Sequence, residues 1–147
     1  MDKLSYKDIY IKYHEEDNPN LELTAAGDWC DLYLAEDITL YPQDFALLSL
    51  GVSMQLPPGY EAIIAPRSST FLKYGILQAN GIGIVDNNYN GDSDIWKMPV
   101  YATRYVEIKK GTRLCQFRIQ QKQPNLNFIK VQSLENEARG GFGSTGD

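Results

Sequence analysis

The stretch YVEIKKGTRLCQF, residues 105–117, carries the pattern that predicts the fold class. Apolar and polar residues alternate on both sides of a turn at residues 110–112, and alternation with a period of two is typical of a half-buried strand. The second strand continues as far as residue 119. Its predicted inward face contains Cys115, Phe117 and Ile119, and its outward face contains Gln116 and Arg118. The stretch therefore predicts two short strands joined by a turn.

The same signal recurs along the chain. GVSMQL, residues 51–56, places three apolar side chains on one face (Val52, Met54 and Leu56) and two polar ones on the other (Ser53 and Gln55). EAIIA and GIGIVD are further short apolar stretches, and turn sequences such as LPPGY and YNGD lie between strands. One helix is predicted in RSSTFLKYG, with Ser68 or Ser69 as its cap and Gly75 at its end. Many short strands with one short helix predict an all-β sandwich, jelly roll or barrel.

Length and composition limit the classes of protein. The 147 residues predict one domain, with a body at residues 1–131 and a C-terminal arm at 132–147. A net charge of −5 argues against nucleic acid as a partner, and no apolar run is long enough to span a membrane. The N-terminal residues lack the apolar core of a signal peptide, and Cys30 and Cys115 have no disulfide or zinc spacing. We therefore expect a cytoplasmic protein with reduced thiols.

Two stretches contain residues suited to catalysis or phosphate binding. In GIVDNNYNGD an apolar strand leads directly to Asp86, where a carboxylate can act as a general base, and Tyr89 can pack against a ring. In APRSST, hydroxyl groups and Arg67 form a potential phosphate site. Taken alone, the first stretch is more typical of an ordinary turn and the second of a plain helix cap with a surface arginine.

Other polar groups give weaker indications. GTRLCQF places Arg113 and Gln116 on a strand, where a surface salt bridge and a surface amide explain them as well as a ligand does. DWCDLYLAED, residues 28–37, is interpreted as a solvated acidic loop. His14 is the only histidine, and we expect no partner and no role for it, which makes a Ser-His-Asp or Cys-His hydrolase improbable. For Trp29 we expect a buried core position.

The chain ends in ARGGFGSTGD, residues 138–147, where glycines surround Arg139 and Phe142. Glycine is expensive to order, so a frayed terminus is the simplest interpretation. An arginine and a phenylalanine are nevertheless unusual residues for a frayed terminus.

Five stretches in this order resemble the ordered motifs of the trimeric dUTP pyrophosphatases, the dUTPases. They are AGDWCDLYLAED, APRSST with YGI, NGIGIVDNNYNG, GTRLCQFRI and RGGFGSTG, and they extend from residue 26 to residue 146. GDW and PRSST resemble the bacterial and phage subgroup. The resemblance implies a distorted jelly-roll or β-barrel subunit in a homotrimer with shared active sites, in a bacterial cytosol or a phage-infected cell. It implies Mg²⁺-dependent hydrolysis of dUTP to dUMP and pyrophosphate.

The resemblance also implies a role for each matching residue. Asp86 would activate the water that attacks the α-phosphorus in line, and Tyr89 would lie under the deoxyribose and exclude a 2′-hydroxyl. Asn80 and the backbone around Gly83 would bind uracil. Arg139 would bind the γ-phosphate, Phe142 would stack on uracil, and Ser144 would also contact substrate. The phosphates would be bound by Arg67, Ser68, Ser69 and Gln116. The waters around Mg²⁺ would be contacted by Asp31.

Some positions depart from the family pattern. Ser69 stands where glycine is usual, Asn88 precedes Tyr89 in place of an acidic residue, and only two residues separate Arg139 from Phe142. Two alternative functions share the fold: a dCTP deaminase-like enzyme, which would require a glutamate-based site, and a nucleotide-gated signalling protein, which usually contains a large insertion. The Asp86–Tyr89 pair and the absence of a large insertion favour the dUTPase.

Overall fold

A computed structural model describes residues 6–23 and 28–141 of the chain. The described residues form eleven strands and one helix: β1 Tyr10–Tyr13, β2 Cys30–Tyr33, β3 Ile38–Leu40, β4 Phe45–Ser49, β5 Val52–Gln55, β6 Tyr60–Pro66, α1 Thr70–Tyr74, β7 Ile76–Gln78, β8 Gly83–Val85, β9 Lys97–Ala102, β10 Val106–Ile108 and β11 Arg113–Gln121. The predicted all-β class with one short helix is confirmed. Within this part of the chain the only helix has five residues, so no helix could cross a membrane.

The strands form antiparallel sheets of four, three, two and two strands. The largest has the order β2-β11-β6-β8, the next β4-β9-β7, and the pairs are β1-β5 and β10-β3. The predicted strands on either side of residues 110–112 are confirmed. They do not pair with each other, however, because β10 pairs with β3 whereas β11 pairs with β2 and β6. The turn therefore transfers the chain from one sheet to another.

The core lies between these sheets. Alternate residues of β9 are fully buried, and β11 contributes Cys115 and Phe117 as predicted. The indole of Trp96 packs edge-on against the ring of Phe117, with centroids 5.1 Å apart. Trp29 is half-buried, with the Arg118 guanidinium 5.7 Å from its ring, so its predicted core position is wrong. Burial raises the pKa of the Cys30 and Cys115 thiols, which keeps both neutral, and both cysteines are free as expected.

Two predictions about strand β5 and its surroundings are wrong. Ser53, assigned to a polar face with Gln55, is only 4% exposed. Its hydroxyl donates a hydrogen bond to the Asp94 carbonyl at 2.8 Å, and His14 Nε2 lies 2.8 Å from the same oxygen. His14 thus has a partner, because β1 covers one edge of β5 and the segment before β9 covers its other side.

The ends of helix α1 follow the sequence signals in part. Gly75 ends the helix as predicted, with φ 64°, and its N–H donates to the Phe71 carbonyl. Ser69 is the N-cap residue, but its side chain makes no capping hydrogen bond. Instead the buried Thr70 hydroxyl accepts from the Arg67 N–H at 3.0 Å and donates to the Leu114 carbonyl at 2.7 Å. This hydroxyl fixes the start of the helix to strand β11.

The last strand ends at Gln121. Residues 122–141 are exposed and contain no helix or strand, and they include five large apolar side chains: Leu126, Phe128, Ile129, Val131 and Leu134. The division between a body and an arm at residue 131 stays a prediction.

Candidate active site

Four side chains on the outer face of the largest sheet form what we call the arginine cluster: Asp31, Arg67, Arg113 and Gln116. Strand β11 lies between β2 and β6, and Gln116 is directly opposite Asp31 on one side and Ala65 on the other. Directly opposed residues point to the same face of a sheet. Asp31 and Gln116 therefore face outwards together, while their neighbours Cys30, Leu32 and Cys115 face the core.

Asp31 connects the two arginines of this cluster. Its Oδ1 lies 3.3 Å from Arg67 Nε, and its Oδ2 lies 3.7 Å from Arg113 Nη1. The Asp31 side chain is only 18% exposed. Its interpretation as part of a solvated loop is wrong, because strand pairing with β11 places it beside both guanidinium groups. Two cations share one carboxylate, so the cluster retains a positive charge that suits an anionic ligand.

A β-bulge brings Arg113 into the cluster. In a regular strand, residues 113 and 115 would share a face, and Arg113 would point inwards with Cys115. The register shifts between them, so that Arg113 is opposite Tyr33 while Cys115 is opposite Leu32. The extra residue at 114 turns Arg113 to the outer face, and its guanidinium lies 5.9 Å from the Tyr33 ring. The alternation of apolar and polar residues in this strand does not indicate the bulge.

The backbone at Arg67 is held by its neighbours. Besides the Thr70 hydroxyl, Gln116 Nε2 donates to the Pro66 carbonyl at 3.2 Å, and Arg67 Nη1 donates to the Arg113 carbonyl at 3.5 Å. Ser68 is exposed and Ser69 is half-buried immediately after Arg67. The structure therefore brings Arg67, Gln116, Asp31 and Arg113 together, with Ser68 and Ser69 directly after Arg67 in the chain and the Thr70 hydroxyl bonded to the Arg67 N–H. The binding roles of the predicted residues stay predictions.

The second group of predicted residues lies around β8, and we call it the hairpin cluster: Asn80, Gly83, Asp86 and Tyr89. Asn80 is exposed in the turn between β7 and β8, and Asp86 is exposed directly after β8. The Tyr89 N–H donates to the Asp86 carbonyl at 3.0 Å, and its hydroxyl donates to the Ile95 carbonyl at 3.0 Å. Asp86 and Tyr89 are thus fixed relative to each other by a turn.

The hairpin cluster borders an open cavity of about 250 Å³, whose walls include Asp86, Tyr89 and Ile84. Asn87 anchors the turn from beneath, since its Nδ2 donates to the carbonyls of Pro57 and Tyr60 at 2.8 and 2.9 Å. Gly83 packs closely on β6, where an added Cβ would lie 3.1 Å from Ile64 Cβ. These contacts hold an exposed carboxylate and a phenol ring at the edge of one concave surface.

Asp86 of the hairpin cluster and Arg67 of the arginine cluster lie at opposite ends of strand β6, whereas Gly83 is opposite Ile64 in the second half of that strand. Antiparallel pairing places Val85 opposite Ala62, so Asp86 is level with the start of β6, whereas Arg67 follows its last residue. The strand between these levels spans about 20 Å. Among the described residues no side-chain hydrogen bond or ion pair joins the two clusters. One chain alone therefore does not place Asp86 beside Arg67.

A family model described as dUTPase matches residues 22–146. The chain belongs to the dUTPase family. It is 49% identical over 138 residues to the SPbeta prophage-derived deoxyuridine 5′-triphosphate nucleotidohydrolase YosS of Bacillus subtilis, with 94% of this chain and 97% of that protein covered.

Two solved dUTPase structures share the fold of this dUTPase family member. A mutant of the Staphylococcus bacteriophage 80alpha dUTPase with dUpNHpp is 19% identical, with TM-score 0.76, and covers 95% of this chain and 99% of its own. A mutant dUTPase from phage phi11 of S. aureus, described with a structural Mg(II) ion, is 17% identical, with TM-score 0.73 and coverage of 88% and 99%. The predicted family and fold are confirmed.

Of the C-terminal residues implied by the resemblance, the structure describes only Arg139. Arg139 is exposed and makes no ion pair with another described residue, and Phe142 and Ser144 lie outside the described residues. Their roles in a dUTPase remain predictions.

Proposed function

We propose that this protein hydrolyses dUTP to dUMP and pyrophosphate at sites formed between the subunits of a homotrimer. The observation that carries the proposal is that Asp86 and the arginine cluster lie at opposite ends of β6, too far apart to act on one phosphorus within a single chain. The arginine cluster has the charge to bind phosphate, and the hairpin cluster has the carboxylate to activate water. Family membership and a 49% identical nucleotidohydrolase support the choice of substrate.

A second copy of the chain would complete the site. The outer face of the three-stranded sheet offers an apolar surface for such contact, since Phe45 and Leu77 flank Tyr101 in one row and Leu47 lies beside them. Phe45 is 63% exposed and Leu47 57%. Contiguous exposed apolar side chains of this kind are typical of protein contacts. In a closed ring, each arginine cluster can face the hairpin cluster of a neighbouring subunit.

In the proposed reaction Asp86 acts as a general base. It takes a proton from water, the water oxygen bonds to the α-phosphorus in line, and the bond from that phosphorus to the bridging oxygen of the β-phosphate breaks. The products are dUMP and pyrophosphate. Arg67, Ser68, Ser69 and Gln116 bind and align the phosphates, which is most of what phosphoryl transfer requires of a protein.

The hairpin cluster also accounts for selection of the nucleoside. Asn80 and the backbone around Gly83 present hydrogen-bonding groups to uracil, and the absence of a side chain at Gly83 keeps the strand close to β6. A narrow pocket would exclude thymine because its methyl group would clash with the pocket wall. It would exclude cytosine because the hydrogen-bond donors and acceptors of that base would not match those of the pocket. Tyr89 would pack against the deoxyribose where a 2′-hydroxyl would collide with its ring.

Mg²⁺ is the proposed cofactor. Within residues 6–23 and 28–141 no group of three His, Cys, Asp or Glu side chains could hold a metal ion, and both oxygens of Asp31 face arginines. These residues fit an ion that is bound mainly by phosphate oxygens and water, the usual mode of Mg²⁺ with nucleotides. When bound, Mg²⁺ would neutralise phosphate charge, and Asp31 would contact its waters.

The C-terminal arm would close the site, with Arg139 on the γ-phosphate, Phe142 on uracil and Ser144 on substrate. Ordering glycine-rich chain costs about 1–2 kcal/mol per residue, so closure must depend on contacts with the correct ligand. Deletion of residues 139–147 should abolish most turnover and leave the melting temperature and oligomeric mass unchanged. Normal hydrolysis by the truncated protein would exclude the lid.

The direct test of the function is pyrophosphate release from dUTP, UTP, dCTP and dTTP in the presence of Mg²⁺. We expect turnover of dUTP alone and loss of turnover with excess EDTA. Ammonia release from dCTP would indicate a deaminase instead, and no turnover of any nucleotide would refute the enzyme.

Mixing two inactive subunits tests the shared site. Asp86→Asn and Arg67→Gln should each be inactive as homotrimers. When the two are coexpressed and randomly mixed, about a quarter of the sites combine an intact hairpin cluster with an intact arginine cluster from different chains. Recovery of about that share of the wild-type rate supports sites between subunits, and no recovery places each site within one chain.

A further inference from the structure

The hydroxyl of Tyr89 has a single anchoring point in the described structure. It donates a hydrogen bond to the Ile95 carbonyl at 3.0 Å. Tyr89 is 40% exposed and borders the open cavity beside Asp86, so few packing contacts restrict its ring. The position of the Ile95 carbonyl therefore determines where the ring lies.

The peptide group that contains this carbonyl is tied to strand β5. Its N–H belongs to Trp96 and donates to the Val52 carbonyl at 2.8 Å. The N–H and C=O of a trans peptide point in opposite directions. Because the N–H is directed at β5, the Ile95 carbonyl is directed away from β5, towards the Tyr89 hydroxyl.

The preceding peptide group is fixed by a buried serine. The Ser53 hydroxyl donates to the Asp94 carbonyl at 2.8 Å. A serine hydroxyl has one hydrogen, so its oxygen accepts from His14 Nε2, which lies 2.8 Å away and must hold a proton. Ser53 is 4% exposed, and this fixed pair of hydrogen bonds orients the peptide that joins Asp94 to Ile95.

The side chain of Asp94 closes the same turn. Its Oδ2 accepts from the Gly91 N–H at 2.8 Å, and the Asp94 N–H donates to the Gly91 carbonyl at 3.1 Å. A Cβ at residue 91 would lie 2.9 Å from Asp94 Oδ2, so a side chain there would displace this carboxylate. Asp94 thus determines the path of the chain between Tyr89 and its anchor at Ile95.

We propose that Ser53 and Asp94 are positioning residues for Tyr89 and thereby set the discrimination between deoxyribose and ribose. The inference rests on the proposed function, in which the Tyr89 ring excludes a 2′-hydroxyl. Ser53 acts through the Asp94 carbonyl, and Asp94 acts through the turn; neither touches substrate. When either is lost, the Ile95 carbonyl moves, the tyrosine ring gains freedom, and UTP is accepted more readily relative to dUTP.

The test compares kcat/KM for dUTP and UTP in the full-length protein and its variants. Tyr89→Phe keeps the ring and removes the anchor, and Ser53→Ala removes the buried hydroxyl. Each should raise the UTP-to-dUTP ratio of kcat/KM by about fivefold, the factor that one ordinary hydrogen bond supplies. The double variant should show no further increase, because both changes break the same chain of contacts.

Asp94 supplies a second, independent variant if Ser53→Ala does not fold. Asp94→Ala should raise the UTP-to-dUTP ratio of kcat/KM. Asp94→Asn keeps an oxygen that can accept from the Gly91 N–H, so its ratio should lie close to the wild-type value. Asp92→Asn is the matched control, since Asp92 lies exposed in the same turn and should leave the ratio at the wild-type value.

The outcomes separate the inference from the function on which it rests. Wild-type protein that does not hydrolyse dUTP refutes the function. Wild-type protein that hydrolyses dUTP, with ratios unchanged in Tyr89→Phe and Asp94→Ala, refutes only the positioning role. A lowered melting temperature with an unchanged ratio also overturns it, because a purely structural role affects stability and leaves selectivity alone.

Discussion

The arginine cluster and the hairpin cluster are built in different ways. The first lies on and beside adjacent strands of the largest sheet, where Gln116 is paired on both sides and Asp31 is largely buried. The second follows a strand of three residues, and both Asp86 and Tyr89 are exposed. The Tyr89 hydroxyl donates one hydrogen bond to the Ile95 carbonyl, and the Tyr89 N–H donates one to the Asp86 carbonyl. The first cluster is thus built on a sheet surface, while the proposed general base and the phenol depend on the local conformation of a turn.

This contrast predicts where substitutions act. Loss of the buried Thr70 hydroxyl, which supports the arginine cluster, should lower the stability of the sheet, because this hydroxyl links the start of α1 to β11. Changes in the hairpin cluster should alter catalysis and selectivity with little effect on global unfolding. The following variants test this difference, from the largest expected effect to the smallest.

Asp86→Asn should produce the largest change. The amide keeps the size of the side chain but cannot accept a proton from water, so turnover should fall by about 10²–10⁴-fold, the usual contribution of a general base. We expect nucleotide binding, measured by calorimetry with a non-hydrolysable dUTP analogue, and the melting temperature to stay near wild type. Near-normal turnover would refute the role of Asp86.

Thr70→Val should give the largest loss of stability. The valine has the same shape but leaves the Arg67 N–H and the Leu114 carbonyl without their buried partner. Each unsatisfied group costs about 1–3 kcal/mol, so the free energy of unfolding should fall by at least that amount in denaturant titrations. Thr70→Ser is the control, because it retains the hydroxyl; equal losses in both variants would assign the effect to packing.

Asn87→Ala removes the corresponding anchor of the hairpin cluster, with its two hydrogen bonds to the carbonyls of Pro57 and Tyr60. Because this side chain is only half-buried, water can replace part of the loss, and the free energy of unfolding should fall by about 1 kcal/mol. Amide hydrogen exchange should accelerate at residues 86–90 and stay unchanged in β11. A loss as large as that of Thr70→Val would contradict the difference between the clusters.

Asp31→Asn should have the smallest effect on stability. It removes two ion pairs at 3.3 and 3.7 Å from a site with an open outer side, where such pairs contribute about 0–1 kcal/mol. The loss in the free energy of unfolding, measured by denaturant titration, should diminish as salt is added. Salt screens both the attraction between Asp31 and the arginines in the wild type and the repulsion between the two arginines in the variant. A loss that is independent of salt would indicate that packing of Asp31 dominates.

Much of the local structure was predictable from the sequence. Alternation identified β11 and the segment before Asp86, and Gly75 ended the helix because only a residue without Cβ adopts a positive φ without strain. The order of the five motifs identified the family. Prediction failed where contacts from distant segments override a local pattern. Ser53 is buried because β1 and the residues before β9 cover it. Asp31 lies in a strand and not in a loop because its segment pairs with β11.

The sequence by itself determined several of the strands, the family, and the residue types proposed to bind phosphate and activate water, because these depend on local periodicity and on motifs of fixed spacing. The tertiary structure decided which strands pair, that a bulge turns Arg113 outwards, and that Ser53 and Asp94 contact the segment that anchors Tyr89. It also decided that Asp86 and Arg67 lie at opposite ends of β6. Strand register is a property of pairs of segments, so no single stretch of sequence contains it.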